Sequence, residues 1–339
     1  MSLLIQNGRV VDPVSGTVSI LDLYVENGRV LQLERDIRAE ADQVIDATGM
    51  VVCPGLVDMH VHLRDPGLTY KEDIFTGTAA AARGGVTAMA CMANTKPTVD
   101  TPEQIQYIRE KASQACGVHV YPVGAVSVGL QGGELTDADA LKKAGAIALS
   151  DDGCNVDNAN LMRDALIHAK RLELPVLCHC EDTSMVANRA VNEGRVSRAL
   201  NLPGRPAIAE ELMVMRDAML SEETGAAVHI CHISTAGSVD IVRQFKKKGV
   251  HITCETCPQY FTLTEDEVLN QGTMARVNPP LRTRQDVEAI IAGLKDGTID
   301  AIATDHAPHS DQEKAKPLAE APSGMVGLEN SLEATLTTL

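Results

Sequence analysis

The chain has 339 residues, 44% of them hydrophobic and 22% charged, a length and balance that exclude intrinsic disorder, a collagen-like repeat and a disulfide-knit miniprotein. With 46 acidic against 30 basic residues the net charge is −16, which argues against a nucleic-acid binder and against a protein held to anionic lipid by a basic surface. The nine cysteines are odd in number and scattered through apolar runs, so they read as reduced thiols of a cytoplasmic protein; no basic-then-apolar leader opens the chain, and no apolar run approaches the ~18 residues of a membrane span.

Residues 1–52 read as a small β unit, with short alternating apolar stretches punctuated by Asn7-Gly8 and Asn27-Gly28. Asn-Gly between β-prone runs is a hairpin signal, because both residues tolerate positive φ. After Pro54 the rhythm changes to short apolar strands alternating with helices. Strands are expected at 55–62, 85–92, 119–125, 146–150, 175–180, 228–233, 250–254 and 300–304, and helices near 71–83, 102–116, 137–144, 157–172, 207–224, 236–248 and 285–295. Eight βα units in residues 53–339 predict an α/β protein of the (β/α)8 TIM-barrel type. A doubly wound sheet is the competing arrangement, but no Gly-x-Gly-x-x-Gly follows the first strand. The least regular stretch, 181–206, is expected to be a long loop over one end of the barrel.

Chemistry on such a barrel belongs at the C-terminal ends of the strands, and polar residues gather there. The first strand ends Asp58-Met59-His60-Val61-His62, the fourth Ser150-Asp151-Asp152-Gly153, the fifth Cys178-His179-Cys180, the sixth Cys231-His232-Ile233 and the eighth Thr304-Asp305-His306. His60 and His62 are two apart on a strand and so share a face. Four imidazoles and two carboxylates crowded into one barrel mouth are costly without a cation. Nitrogen and oxygen donors favour zinc or another borderline divalent ion, and six ligands suit two metals sharing a carboxylate better than one tetrahedral zinc. Other candidates have blander readings. His168 lies within a helix, and His119 and His251 open strands at the far end. His229, out of phase with His232, is expected to face the helical layer. Cys178 and Cys180 face away from the barrel axis as packing residues, and Cys254-x-x-Cys257 lacks the second pair of a zinc knuckle.

The run Pro54-Gly55-Leu56-Val57-Asp58-Met59-His60-Val61-His62 resembles the amidohydrolase superfamily of metal-dependent barrel hydrolases. Leu63-Arg64-Asp65-Pro66-Gly67, Asn94-Thr95-Lys96-Pro97-Thr98, Asn278-Pro279-Pro280-Leu281-Arg282 and Asp305-His306-Ala307-Pro308-His309 narrow the resemblance to the bacterial dihydroorotases of the class I type. The resemblance implies two Zn²⁺ per subunit: His60, His62 and Asp305 on one, His179 and His232 on the other, with Asp152 and a hydroxide bridging. Asp152 is preferred to its neighbour Asp151, since two adjacent residues cannot both point inward, and it stands in for the carboxylated lysine of many relatives. Arg64 and Asn94 are implied contacts to a substrate carboxylate, with His62, Asn278 and His309 around the ring and Ser323 and Gly324 closing over it. Asp305 is the implied catalytic acid and base, and the implied reaction is the reversible cyclisation of N-carbamoyl-L-aspartate to L-dihydroorotate and water in pyrimidine (UMP) biosynthesis. Two divalent ions less two aspartates and a hydroxide leave about +1 at the site, so an acidic protein would present a cationic pocket.

Two neighbouring activities compete, allantoinase and hydantoinase, towards which Glu255-Thr256-Cys257-Pro258-Gln259-Tyr260 leans. The missing strand-four lysine and the Arg64, Asn94 and His309 set favour dihydroorotase. A third reading is a non-catalytic dihydroorotase-like scaffold of aspartate transcarbamoylase, which would lack metal ligands. The resemblance also implies a homodimer, possible association with aspartate transcarbamoylase, and partner strands for the 1–52 unit that return after the eighth helix. Those strands are expected to be absent, because residues 53–339 end within that helix, and the β unit should then show unpaired edges and apolar surface.

Overall fold

The computed structural model describes residues 1–187 and 189–339; Asn188, inside the expected 181–206 loop, lies outside the described residues. The chain divides into two compact units, Met1–Leu56 and Val57–Leu339.

The first unit is a five-stranded sheet of β1 (Ser2–Asp12), β2 (Thr17–Glu26), β3 (Arg29–Glu34), β4 (Gln43–Asp46) and β5 (Val51–Val52). Antiparallel β3-β2-β1 is extended by β4 and β5, both parallel to β1. Asn27-Gly28 is the expected two-residue turn, both residues at positive φ. Asn7-Gly8 is not a turn: β1 runs straight through it, and the register shifts there as a bulge. Asn7 takes φ 62° and gives its N–H to Asp22 Oδ1 at 2.8 Å, so positive φ serves an extra residue within a strand. Val18, Ile20, Val30, Leu31 and Val44 are more than half exposed.

The second unit contains the eight expected strands, all parallel. They are β6 (Leu56–Val61), β7 (Val86–Cys91), β8 (His119–Pro122), β9 (Leu149–Ser150) and β10 (Val176–Cys178), then, after a small parallel pair β11 (Val191–Asn192) and β12 (Gly204–Arg205), β13 (Val228–Ile230), β14 (Ile252–Thr256) and β15 (Ala301–Ile302). A parallel bridge between Gly124 and Leu149 joins β8 to β9, and one between Val61 and His306 closes the ring. Asp58 reinforces that closure, its Oδ1 accepting from the N–H of Thr304 at 3.1 Å.

The surrounding helices form where the sequence supplies caps and an apolar stripe. Ile74–Arg83 starts at a capping box between Asp73 and Thr76, Arg284–Lys295 at one between Thr283 and Asp286, and Ala159–Arg171 under Asn158. Residues 181–206 differ from the expected loop. They hold two short helices, Thr183–Val186 and Arg195–Ala199, besides the β11/β12 pair. Polar contacts tie its described residues together, Arg205 Nε to the Arg189 carbonyl at 2.7 Å and Arg189 Nη1 to the Gly204 carbonyl at 2.6 Å. These pairings span about fifteen residues, so local periodicity does not reveal them.

Candidate metal centre

Alternation along β6 turns Asp58, His60 and His62 to the barrel interior, and closure of the ring brings Asp305 to them: the His62 N–H donates to the His306 carbonyl at 2.8 Å. His62 Nε2 lies 2.9 Å from Asp305 Oδ1, and His60 Nε2 lies 3.6 Å from the same oxygen. Asp152 follows β9 and faces all four imidazoles. Its Oδ1 is 3.4 Å from His60 Nε2, 3.5 Å from His179 Nδ1 and 3.4 Å from His232 Nε2, and its Oδ2 is 3.4 Å from His62 Nε2. Two donor trios result, His60/His62/Asp305 and Asp152/His179/His232, all six residues buried.

These residues fit a bound metal. His60 Nε2 and Asp152 Oδ1 are buried and have no hydrogen-bond partner among the described residues, although each faces the cluster. Nitrogens and oxygens that stand 3.4–3.6 Å apart, too far to bond well to each other, suit a shared cation. Burial disfavours charge on Asp152, Asp305 and His179, yet the cluster overrides it. Asp152, surrounded by His60, His179 and His232, is held well below the usual carboxylate range. Asp305 is likewise held down, by His62 and His60. Burial opposes charge on His179, but Asp152 and Glu181 raise it to about 10.

Asp151, the near neighbour, is committed elsewhere. Its carboxylate accepts from the N–H groups of Val126 and Ser127 at 2.8 and 3.0 Å and from the Ser127 hydroxyl. His229 corrects the expectation that it faces the helices. It is buried inside the barrel, with Nδ1 2.8 Å from Thr253 Oγ1 and Nε2 3.3 Å from Glu255 Oε2. Simple alternation misleads because β13 ends at Ile230 and His232 has φ 35°, a left-handed kink that swings its ring into the mouth. Cys178 and Cys180 do face the helices, where Cys180 Sγ lies 3.5 Å from Asp217 Oδ2. Cys254 and Cys257 part company, one against the Thr298 carbonyl and the other in an apolar cluster with Tyr260 and Leu281. Cys231 sits beside His60 and Asp152, but burial pushes its thiol up to about 12.

Beside the trios opens a cavity of about 200 Å³ lined by the expected contacts Arg64, Asn94, Asn278, His309, Ser323 and Gly324. Asn94 Oδ1 holds His62 Nδ1 at 2.8 Å while its Nδ2 reaches the Asp152 carbonyl. Asn278 Nδ2 lies 3.3 Å from both His179 Nε2 and Glu181 Oε2, and its Oδ1 accepts from Arg205. Gly324, at φ 144°, has no room for a side chain, since a Cβ would stand 2.4 Å from the Ala307 carbonyl. Sequence reasoning missed Glu255, Glu181 and Arg205. Glu255 Oε1 lies 2.8 Å from His60 Nδ1, and Arg205 Nη1 donates to Glu181 Oε1 at 2.7 Å. A buried Glu on a barrel strand is the one sequence signal that could have exposed the first.

A parallel eight-stranded barrel carrying His-x-His on its first strand and two adjacent trios, each of two histidines and an aspartate, is a metal-dependent hydrolase of the amidohydrolase class, and a metal cofactor is part of its site. Residues 49–238 match the family model described as dihydro-orotase-like. The dihydroorotase of Acetivibrio thermocellus is 50% identical over 99% of this chain and 79% of its own length, and that of Pelobacter propionicus 51% identical over 99% and 80%. The chain belongs to the dihydroorotase family. Among solved structures, the L-hydantoinase (dihydropyrimidinase) of Arthrobacter aurescens superposes with a TM-score of 0.87 at 24% identity, covering 98% of this chain and 76% of that one. Dihydropyrimidinase from Brevibacillus agri gives 0.80 at 24% identity over 99% and 76%. At that identity the likeness speaks for the fold.

Proposed function

We propose that this chain is a zinc-dependent dihydroorotase that interconverts N-carbamoyl-L-aspartate and L-dihydroorotate plus water. The observation that carries the reading is the convergence of both trios on Asp152, beside a cavity that holds Arg64. His60, His62 and Asp305 would hold one ion, His179 and His232 the other, and Asp152 both. When bound, such ions supply Lewis acidity, which lowers the pKa of water and polarises a carbonyl.

The protein's own groups do the rest. Arg64 and Asn94 take the free carboxylate of the substrate; Asn278, held by Arg205 and Glu181, and His309 bracket the ring. Ser323 and Gly324 border the same cavity and limit its room for water. In hydrolysis the Asp305 carboxylate accepts the proton of the attacking water and returns it to the leaving amide nitrogen. In synthesis it removes the proton from the ureido nitrogen, so one base serves both directions. Asp305 is kept ionised for this by His62 and His60 despite its burial.

Nine unpaired cysteines support a cytoplasmic setting, and no helix among the described residues is long and apolar enough to cross a membrane. A homodimer, alone or with aspartate transcarbamoylase, is the assembly this reading carries with it. The deciding experiment measures metal content together with turnover of L-dihydroorotate, allantoin and a hydantoin by the pure protein. About two zinc ions per chain and turnover of dihydroorotate alone support the proposal. Preference for a hydantoin or allantoin makes it a different cyclic amidohydrolase, and a metal-free, folded, inactive protein makes it a scaffold.

A further inference from the structure

We propose that Lys71 is a positioning residue of the anion-binding wall: it fixes His309 as the neutral tautomer with its hydrogen on Nε2, and thereby leaves Arg64 as the cation offered to a substrate carboxylate. The role assigned to Arg64 rests on the reading of the cavity as a site for an anionic substrate; the state of His309 does not.

Two partners of opposite kind specify that tautomer. Lys71 Nζ lies 3.3 Å from His309 Nδ1, and an ammonium only donates, so Nδ1 must be the acceptor. The Ser323 carbonyl lies 2.8 Å from Nε2, and a carbonyl only accepts, so Nε2 must carry the hydrogen. A second ring proton would have to face the lysine. The charged groups around the imidazole are Arg64 and Lys71 from the segment after β6, and Glu313 and Lys314 from its own segment. Burial first, then Arg64, Lys71 and Lys314, pushes its pKa down to about 4. Glu313 Oε2 is 3.8 Å from Nδ1, and its other oxygen pairs with Lys71 at 2.8 Å, so the carboxylate is turned to the lysine instead of the ring.

The consequence falls on Arg64. Its Nε donates to the Pro308 carbonyl at 3.2 Å, and its Nη2 lies 3.3 Å from His309 Nε2. With hydrogen on both nitrogens that contact is not a hydrogen bond, and the guanidinium keeps its Nη donors for a ligand in the cavity it lines. Lys71 itself is not part of the cavity lining and acts through the imidazole. Without it, Nδ1 is free to take a hydrogen towards Glu313, and the bared Nε2 then accepts from Arg64 and draws a donor away from the substrate.

The test labels histidine at Cε1 and both ring nitrogens and follows His309 by NMR in the resting protein, its signal identified by loss in His309→Gln. The wild-type ring is expected to stay neutral with hydrogen on Nε2 from pH 5.5 to 8.5. Lys71→Met is expected to shift the ring towards the Nδ1–H form, restore a titration within that range, and raise KM about tenfold with kcat changed less than about twofold. Lys71→Arg, which still only donates, should restore spectrum and KM together. A wild-type Nδ1–H tautomer or an ordinary titration would overturn the inference, as would a folded Lys71→Met protein with the wild-type spectrum. If the chain fails to turn over dihydroorotate but shows the Nε2–H ring and the Lys71→Met shift, the dihydroorotase reading falls and the tautomer assignment stands.

Discussion

Nδ1 of His60 lies 2.8 Å from Oε1 of Glu255, both side chains fully buried in the barrel. The other oxygen of that carboxylate lies 3.3 Å from His229 Nε2, so a His229–Glu255–His60 chain rises from the barrel interior to the proposed metal centre. Burial opposes the charge on Glu255, but His229 and His60 hold its carboxyl far below the ordinary range. A carboxylate on the outer nitrogen of a ligating histidine fixes the tautomer and orients the ring. Glu255→Ala should therefore weaken metal binding by about 10- to 100-fold, and Glu255→Gln, which keeps an acceptor for Nδ1–H, by less. Chelator competition on the purified proteins reads both, independently of turnover.

The adjacent aspartates separate two kinds of loss. Asp151 satisfies two backbone N–H groups and a hydroxyl, so Asp151→Ala should destabilise the fold by about 1–3 kcal/mol while leaving the metal stoichiometry of the folded fraction intact. Asp152→Ala should do the reverse, depleting metal with a smaller stability cost once the histidines are relieved of their shared partner. Denaturant titration paired with metal analysis checks the contrast; equal metal loss in both variants contradicts it.

What the sequence makes legible is what alternation and strand order govern. His60 and His62 announce themselves by spacing alone, and eight apolar runs between capped helices suffice for the barrel. His232 and His229 show where that reasoning stops. A strand that ends one residue before Cys231 and a left-handed φ at His232 turn both rings inward, where period two allows only one of them. Asn7-Gly8 fails for a related reason, since positive φ serves a bulge as well as a turn. Glu255 offers only its place on a barrel strand as a signal, and Glu181 and Arg205 offer none: each acts through a partner fixed by the closed ring or by the 181–206 excursion, and the neighbouring residues do not encode that meeting.

Arg64 and Asp305 should divide binding from chemistry. Arg64 reaches the cavity beyond the metal trios, at φ 57°, and a lost charge-assisted hydrogen bond is worth about 1.5–3 kcal/mol. Arg64→Met should therefore raise KM about 10- to 100-fold with a smaller change in kcat. Asp305→Asn should abolish turnover while retaining metal at least in part, since His60, His62 and Asp152 remain. Steady-state kinetics with metal analysis tests the pair; an active Asp305→Asn enzyme removes Asp305 as the acid and base.

Lys314 supplies the pH dependence. Its ammonium is buried among three carbonyls, those of Thr273, Arg276 and Pro322 at 3.0, 3.3 and 3.1 Å, and so fastens the segment bearing Ser323 and Gly324 to residues 272–276. Burial, then Arg276 and Arg64, lowers its pKa to about 8 from an ordinary value near 10.5. Between those two values the unfolded chain binds a proton that the folded chain has released, so this group's contribution to stability rises with pH across that window and is flat below about 8. The stability difference between wild type and Lys314→Met, in which the titrations that Lys314 does not touch cancel, should accordingly be constant from pH 6.5 to 7.5 and move in favour of the wild type from pH 8 to 10. Denaturant titrations of the two proteins at matched pH measure it, and a difference that moves the opposite way shows that the three carbonyls outweigh the burial and that the lysine stays charged.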